Sequence, residues 1–429
     1  MRPDIAPPHP VLVPPLGRAV LNRRRLEAWG VAVVLTIQGG ALLQLAFIGP
    51  DGTLDPSSYG RLRLLSLMGY LLAAVLLLPY RQRFLRSLRS TLPLLILIAL
   101  AFASVLWSVG PSATLRRAVG LTGSLLIAYF IALRFTPTEF RRLIAITLGV
   151  YMGASLVLAG LAPRLAFMPM EPVLRGVFLS KNSLGWAAGI GAVVALTFLA
   201  ERVRNPGALA LLAASLACLV LSGSMTGSIS LMVGIILMLF LNRMVRASRA
   251  GRAFLLLVLI QSVTFALLLL TIFLVPALEA LGRDATLTGR IPLWALVDQQ
   301  IAARPLLGYG YDGFWTEGND QAWAIWAEIG WNAPHSHMGY REILLGLGLP
   351  GGIVLLWMLV RAAGQGFTLL VDEPQAGWLW LNVIFGMFLV MNITESLFLA
   401  PSDLPFTLSS TAIVMFATRA GTRARVRQS

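Results

Sequence analysis

The stretch 333–342, APHSHMGYRE, sets His335 and His337 two residues apart. Imidazole is the side chain that changes charge nearest neutral pH, and as a positioned base it typically contributes ~10²–10⁴-fold to a rate. Proton removal from a hydroxyl is therefore one chemistry this pair can do. An H-x-H pair also suits a metal, but the single cysteine, Cys218, lies inside an apolar run, and no metal site is expected. The plainer reading is a pair of hydrogen-bonding histidines at a membrane interface.

A second group of residues is cationic. Lys181 is the only lysine among 34 basic residues, and it stands in VFLSKNSLG beside Asn182, with Arg175 six residues earlier. A cation at the start of a helix is mildly unfavourable, so a compensating anion is expected there, and phosphate is a candidate. Asn182 or Ser183 would cap that helix. Arg290 in GRIPLW and Arg304 in ARPLLGYG frame a short surface helix, and Arg116 stands in SVGPSATLRRAV. Guanidinium groups bind phosphate oxygens bidentately, whereas a single arginine near lipid more commonly snorkels to headgroups. Five of the eleven tryptophans, from Trp294 to Trp331, share the same stretch, either to stack on sugars or to form an interfacial belt.

Such residues need a frame, and the composition says which kind. The chain is 57% hydrophobic and only 12% charged, far from a soluble globular domain. Its net charge of +15 would suggest nucleic acid in a soluble protein, but the positive-inside rule accounts for the excess, and no nucleic-acid partner is expected. A spanning helix needs about twenty apolar residues. Twelve segments qualify, near 30–48, 62–79, 91–108, 118–135, 143–162, 183–200, 207–222, 228–242, 253–277, 343–360, 377–394 and 404–418. The expected fold is thus all-α and polytopic, with about twelve transmembrane helices. A Pro- and Arg-rich tail (1–25), one transmembrane domain (26–418) and a basic tail (419–429) would follow. With both termini cytoplasmic, roughly two-thirds of the basic residues fall on the cytoplasmic side. The residues singled out above fall in the outer minority. One outer loop, 278–342, is long, and loops of that length are usually functional. No internal repeat is evident.

Taken in order, LWSVGPSATLRRA, RGVFLSKNSLG, LSGSMTGS, LTGRIPLW with RPLLGYGYDGFW, HSHMGYREILLGLGLPG and ITES resemble the O-antigen ligase and polymerase superfamily, especially its exopolysaccharide-polymerase branch. The resemblance covers roughly 104–396. It implies a metal-independent, cofactor-free, inverting glycosyltransferase of the bacterial inner membrane, working on the periplasmic face. The donor would be an undecaprenyl-pyrophosphate-linked glycan. The acceptor would be another repeat unit in a polymerase or lipid A core in a ligase, with chain-length and export proteins as partners.

The family pattern of a His followed at fixed spacing by Gly-x-x-Gly fits His337 with Gly348 and Gly351, which makes His337 the implied catalytic residue and His335 the second choice. Lys181, Arg290, Arg116, Arg175 and Arg304 become the implied pyrophosphate ligands, and Asn182, Tyr340, Glu342 and Glu395 the supporting residues. Three positions depart from the family pattern: Met338, Ser180 and Met225, the last where many relatives carry arginine. A lipid-linked oligosaccharide transporter is the reading of another class, but transporters concentrate ionisable groups near the bilayer midplane, and here they gather at span ends.

Overall fold

A computed structural model describes residues 18–42, 47, 58–169, 171–201, 205–280 and 290–426. The chain opens with α1 (Arg18–Gln38), α2 (Tyr59–Leu77), α3 (Arg81–Leu88), α4 (Leu92–Ala103) and α5 (Pro111–Arg134). Next come α6 (Pro137–Leu161), a short α7 (Pro163–Ala166), α8 (Lys181–Ala200), α9 (Pro206–Ser222), α10 (Met225–Arg246) and α11 (Arg249–Ala280). The last five are α12 (Arg290–Ala303), α13 (Asp320–Ile329), α14 (Gly339–Asp372), α15 (Trp378–Thr394) and α16 (Leu404–Val426). Among the described residues there is no strand, only an isolated bridge between Phe167 and Leu174.

Each of the twelve expected apolar segments falls on a helix. The first does so only over 30–38, since α1 ends at Gln38 and most of 43–57 lies outside the described residues. Six helical runs among the described residues are long and apolar enough to cross a membrane, including the composite Gly60–Leu106, and two shorter apolar helices are Pro206–Ser222 and Trp378–Thr394. Helices satisfy every backbone polar group internally, which is why a chain this apolar adopts them in hydrocarbon. The protein is an all-α polytopic membrane protein.

The ends of the expected chain map differ. Residues 1–17 of the N-terminal tail lie outside the described residues, and 18–25 form the first turns of α1. At the other terminus, 419–426 continue α16 rather than leaving it. Part of the long loop, 281–289, is likewise outside the description.

Local signals set the remaining boundaries. Proline stands in the first turn of α5, α6 and α9, where its missing N–H costs nothing. Thr136 and Glu139 form a reciprocal capping box on α6. The cap of α8 is Ser180, whose hydroxyl accepts from the Ser183 N–H, and not Asn182 or Ser183. Ser180 precedes the first helical residue in extended backbone, the conformation that lets a short hydroxyl reach the third N–H.

Between helices, small residues allow close approach. A Cβ on Gly227 of α10 would lie 2.6 Å from the Gly185 carbonyl oxygen of α8, so those backbones touch. α14 is broken at Gly348, with φ +61° and ψ −162°. Into this break the segment after α12 docks: Leu349 N–H donates to the Pro305 carbonyl (2.8 Å) and Tyr309 N–H to the Leu345 carbonyl (2.8 Å). A Cβ at Gly348 would sit 2.3 Å from the Leu306 oxygen, so only glycine fits.

Candidate functional site

The loop that carries both histidines is tied down on several sides. Gly339 N–H donates to the Glu395 carbonyl (2.9 Å), and Met338 N–H to the Ser396 hydroxyl (3.1 Å). The indole of Trp294 on α12 donates to the Ser336 carbonyl (2.9 Å), and that of Trp326 on α13 to the Ala333 carbonyl (2.9 Å). The Ser336 N–H donates to Glu342 Oε2 (2.7 Å), whose other oxygen accepts from the Trp315 indole (3.0 Å). The tryptophans that looked like sugar platforms or a belt are, in these three cases, the anchors of the histidine loop.

So held, His337 takes a left-handed backbone, φ +53°. A non-glycine residue there stores strain of order 1–3 kcal/mol, which the anchors must offset. The His335 Nδ1 accepts the His337 N–H at 3.2 Å, which stabilises that turn, and the two rings lie 4.1 Å apart. Burial first, then the neighbouring His337, Arg290 and Arg117, push the His335 pKa down to about 3. His335 is neutral at any physiological pH.

His337 faces a buried carboxylate. Its Nδ1 is 3.8 Å from Glu395, which is only 5% exposed, and neither ring nitrogen has a hydrogen-bond partner. Glu395 follows the last residue of α15 and is fixed by two further groups. The Arg290 guanidinium reaches it at 3.3 Å while donating to the Thr394 carbonyl at 2.6 Å, and the Thr226 hydroxyl donates at 3.4 Å. Arg290 therefore stands at the start of α12, where the sequence placed it, and next to the expected catalytic histidine. Thr226 was visible only as part of a polar turn.

That same turn leads to Lys181. The Ser224 hydroxyl donates to Asn182 Oδ1 (3.3 Å), and Leu174 N–H donates to the Leu221 carbonyl (2.9 Å). Met225, beside Thr226, is exposed. Lys181 itself is paired with Glu171, so a carboxylate supplies the anion its position calls for.

The other expected residues are placed differently. Arg175 is 2% exposed, and its Nε donates to the Leu165 carbonyl. Arg304 is exposed and lies over the Tyr309 ring, 4.7 Å from its centroid. Tyr340 donates to the Leu389 carbonyl and packs edge-on against Phe398. Arg116 is exposed on α5 in a separate cavity, beside Arg117, which pairs with Asp312 at 2.7 Å. Burial pushes the Asp312 carboxyl up, against the pull of Arg117. Of the expected set, the structure gathers His335, His337, Arg290 and Glu395 at one place, with Glu342 behind the loop.

A buried acid, a guanidinium and an imidazole with unused nitrogens can accept a proton and hold an anion side by side. Comparison with known proteins gives the chain a lineage. The model of a family described as O-antigen ligase matches residues 208–356, which include Arg290 and both histidines. The chain is also 30% identical over 361 residues to the exopolysaccharide production protein ExoQ of Rhizobium meliloti (strain 1021), covering 80% of each chain. On that extent of similarity, this membrane protein belongs to the O-antigen ligase and polymerase family of polysaccharide assembly.

Proposed function

We propose that the protein transfers an oligosaccharide from an undecaprenyl-pyrophosphate carrier to the growing end of another glycan, polymerising exopolysaccharide or O-antigen repeats. The reaction takes place on the periplasmic face of the bacterial inner membrane, with both termini cytoplasmic. The observation that carries this reading is the His337 imidazole, with both nitrogens unengaged, 3.8 Å from a buried Glu395 that Arg290 also contacts.

In the proposed step, the acceptor hydroxyl attacks the anomeric carbon as its proton passes to His337. The bond from that carbon to the pyrophosphate oxygen breaks, and the pyrophosphate leaves with the electron pair. One displacement inverts the anomeric centre. Glu395 lies 3.8 Å from the Nδ1 of the ring that receives the proton. Arg290, with two of its five N–H groups committed to protein in the structure, meets charge on the leaving group without a metal ion. His335, held neutral, shapes the turn and is not itself the base. Trp331, its ring 5.7 Å from that of His337 and partly exposed, offers a face for a sugar.

The 30% identical relative is named for exopolysaccharide production, which favours polymerisation over transfer to lipid A core. The test is polysaccharide made by a deletion strain carrying wild type or His337→Ala at equal membrane abundance. Loss of long chains with accumulation of single lipid-linked repeats supports the reading. Full-length polymer from the variant overturns the histidine assignment, and failure to bring repeats to the outer face points to a transporter.

A further inference from the structure

Arg290, Trp294 and Asp298 stand at every fourth position along α12, so they share one face of that helix, about 6 Å apart per step. Each reaches a different part of the site. Arg290 contacts Glu395 and the Thr394 carbonyl, and Trp294 donates to the Ser336 carbonyl between the two histidines. Asp298 takes Arg341, in the first turn of α14: the Arg341 Nε donates to Oδ1 at 2.7 Å and its Nη2 to Oδ2 at 2.9 Å.

The Arg341 guanidinium is held on two further sides. It lies over the Trp294 ring, 5.1 Å from the centroid, and its Nη1 donates to the Met338 sulfur in a short contact. Met338 is one of the positions that depart from the family pattern, and its thioether serves here as the weak acceptor under that arginine. The Asp298 side chain is 52% exposed, and an ion pair so open to solvent adds little stability. What it adds is direction. A planar fork bound at both teeth and stacked on a ring has one arrangement, whereas a lysine in its place would swivel.

Direction is what α12 otherwise lacks at this end. Leu293 and Val297 are buried and hold the helix against its neighbours, but apolar contact is non-directional. A rotation by one residue, about 100°, would take Arg290, Trp294 and Asp298 off their partners together.

We infer that Asp298 and Arg341 form a positioning pair for glycosyl transfer. Their clasp sets the register of α12 against α14, and thereby the placement of Arg290, which meets the leaving group, relative to His337, which takes the proton.

The inference rests on the proposed transfer, so one readout is taken without turnover. The full chain is purified in detergent and supplied with lipid-linked repeats extracted from a deletion strain. Arg341→Ala and Asp298→Ala are each expected to lower kcat by ~10–10²-fold, as a misplacement of about an ångström does, with KM near that of wild type. The double alanine variant should be no worse than either single one. Arg290→Ala combined with Arg341→Ala should lose less than the product of their separate losses. Arg341→Lys keeps the charge but not the fork, and should recover only a small part. Amide hydrogen exchange across 337–339, whose N–H groups are bonded to His335, Ser396 and Glu395, should quicken in both alanine variants while the unfolding midpoint holds. Wild-type kcat in both alanine variants, a loss carried by KM alone, or unchanged exchange overturns the positioning role. Quickened exchange beside normal polymer from His337→Ala would support the clasp and count against the proposed reaction alone.

Discussion

Two buried glutamates invite comparison. Glu27 on α1 accepts from Arg23 (3.1 Å), from the Tyr80 hydroxyl (3.0 Å) and from Arg134 in a short contact. Glu395, equally buried, has its neighbours at 3.3, 3.4 and 3.8 Å, and the farthest is a histidine with both nitrogens idle. The first cluster has spent its hydrogen-bonding capacity on itself. The second has kept some in reserve, and a buried polar group that stays unsatisfied is tolerated only where something else repays it. A charged cluster is thus read as scaffold or site by what it leaves unpaired, not by its charges.

Substitutions can break this distinction. The largest effect is expected from His337→Ala, with polymer synthesis per folded molecule falling ~10²–10⁴-fold and thermal stability in detergent unchanged. Next, Glu395→Gln keeps the shape and removes the charge, and turnover should fall about 10²-fold. Glu27→Gln should do the opposite, lowering the unfolding midpoint through a broken buried pair worth ~3–5 kcal/mol while each surviving molecule works normally. If both glutamine variants lose stability and neither loses turnover, the two clusters are alike and the comparison fails.

A smaller effect comes from pH. His335 has a folded-state pKa near 3 against an ordinary 6.5, so folding favours its neutral form. Its contribution is complete above about 6.5 and is lost progressively as pH falls from there toward 3. Thermal melts from pH 7 to 4 should show this loss in wild type and a flatter profile in His335→Asn. The smallest change is expected at Lys181. Because Glu171 already pairs with it, Lys181→Ala should cost less than about tenfold in polymer output. A loss as large as that of His337→Ala would show that Lys181 leaves Glu171 for phosphate during turnover.

Much of this was legible in the order of residues. Apolar runs of spanning length became helices, because a backbone in hydrocarbon has no other partner. Arg290 at a helix start and Glu395 at a helix end could be placed by counting. Their meeting could not, since Arg290 and Glu395 lie more than a hundred residues apart and are joined only where the Arg290 side chain reaches the Thr394 carbonyl and Glu395 beyond the end of α15. Nor did the sequence reveal that Arg175 is buried while Arg116 is exposed, because a charge near a span end reads the same in either state. Thr226 gave no signal beyond its polar turn, and Ser180 is masked as a cap by the two polar capping types, Asn182 and Ser183, that follow within three residues.

The break at Gly348 has a mechanical meaning. α14 would otherwise be a rigid rod of 34 residues with the histidine loop mounted at its tip, and any tilt imposed by a thicker or thinner bilayer would swing that tip. Instead the short stub Gly339–Leu347 is clamped sideways to the segment after α12, and the rest of the rod begins beyond the break. The stub behaves as a suspension mount: its direction is set by the segment after α12, which also holds Leu349 at the start of the shaft, so the His337 imidazole keeps its place beside Glu395 whatever tilt the shaft takes farther on. Such an enzyme would tolerate a change of membrane thickness that a single uninterrupted helix would pass straight to its active site.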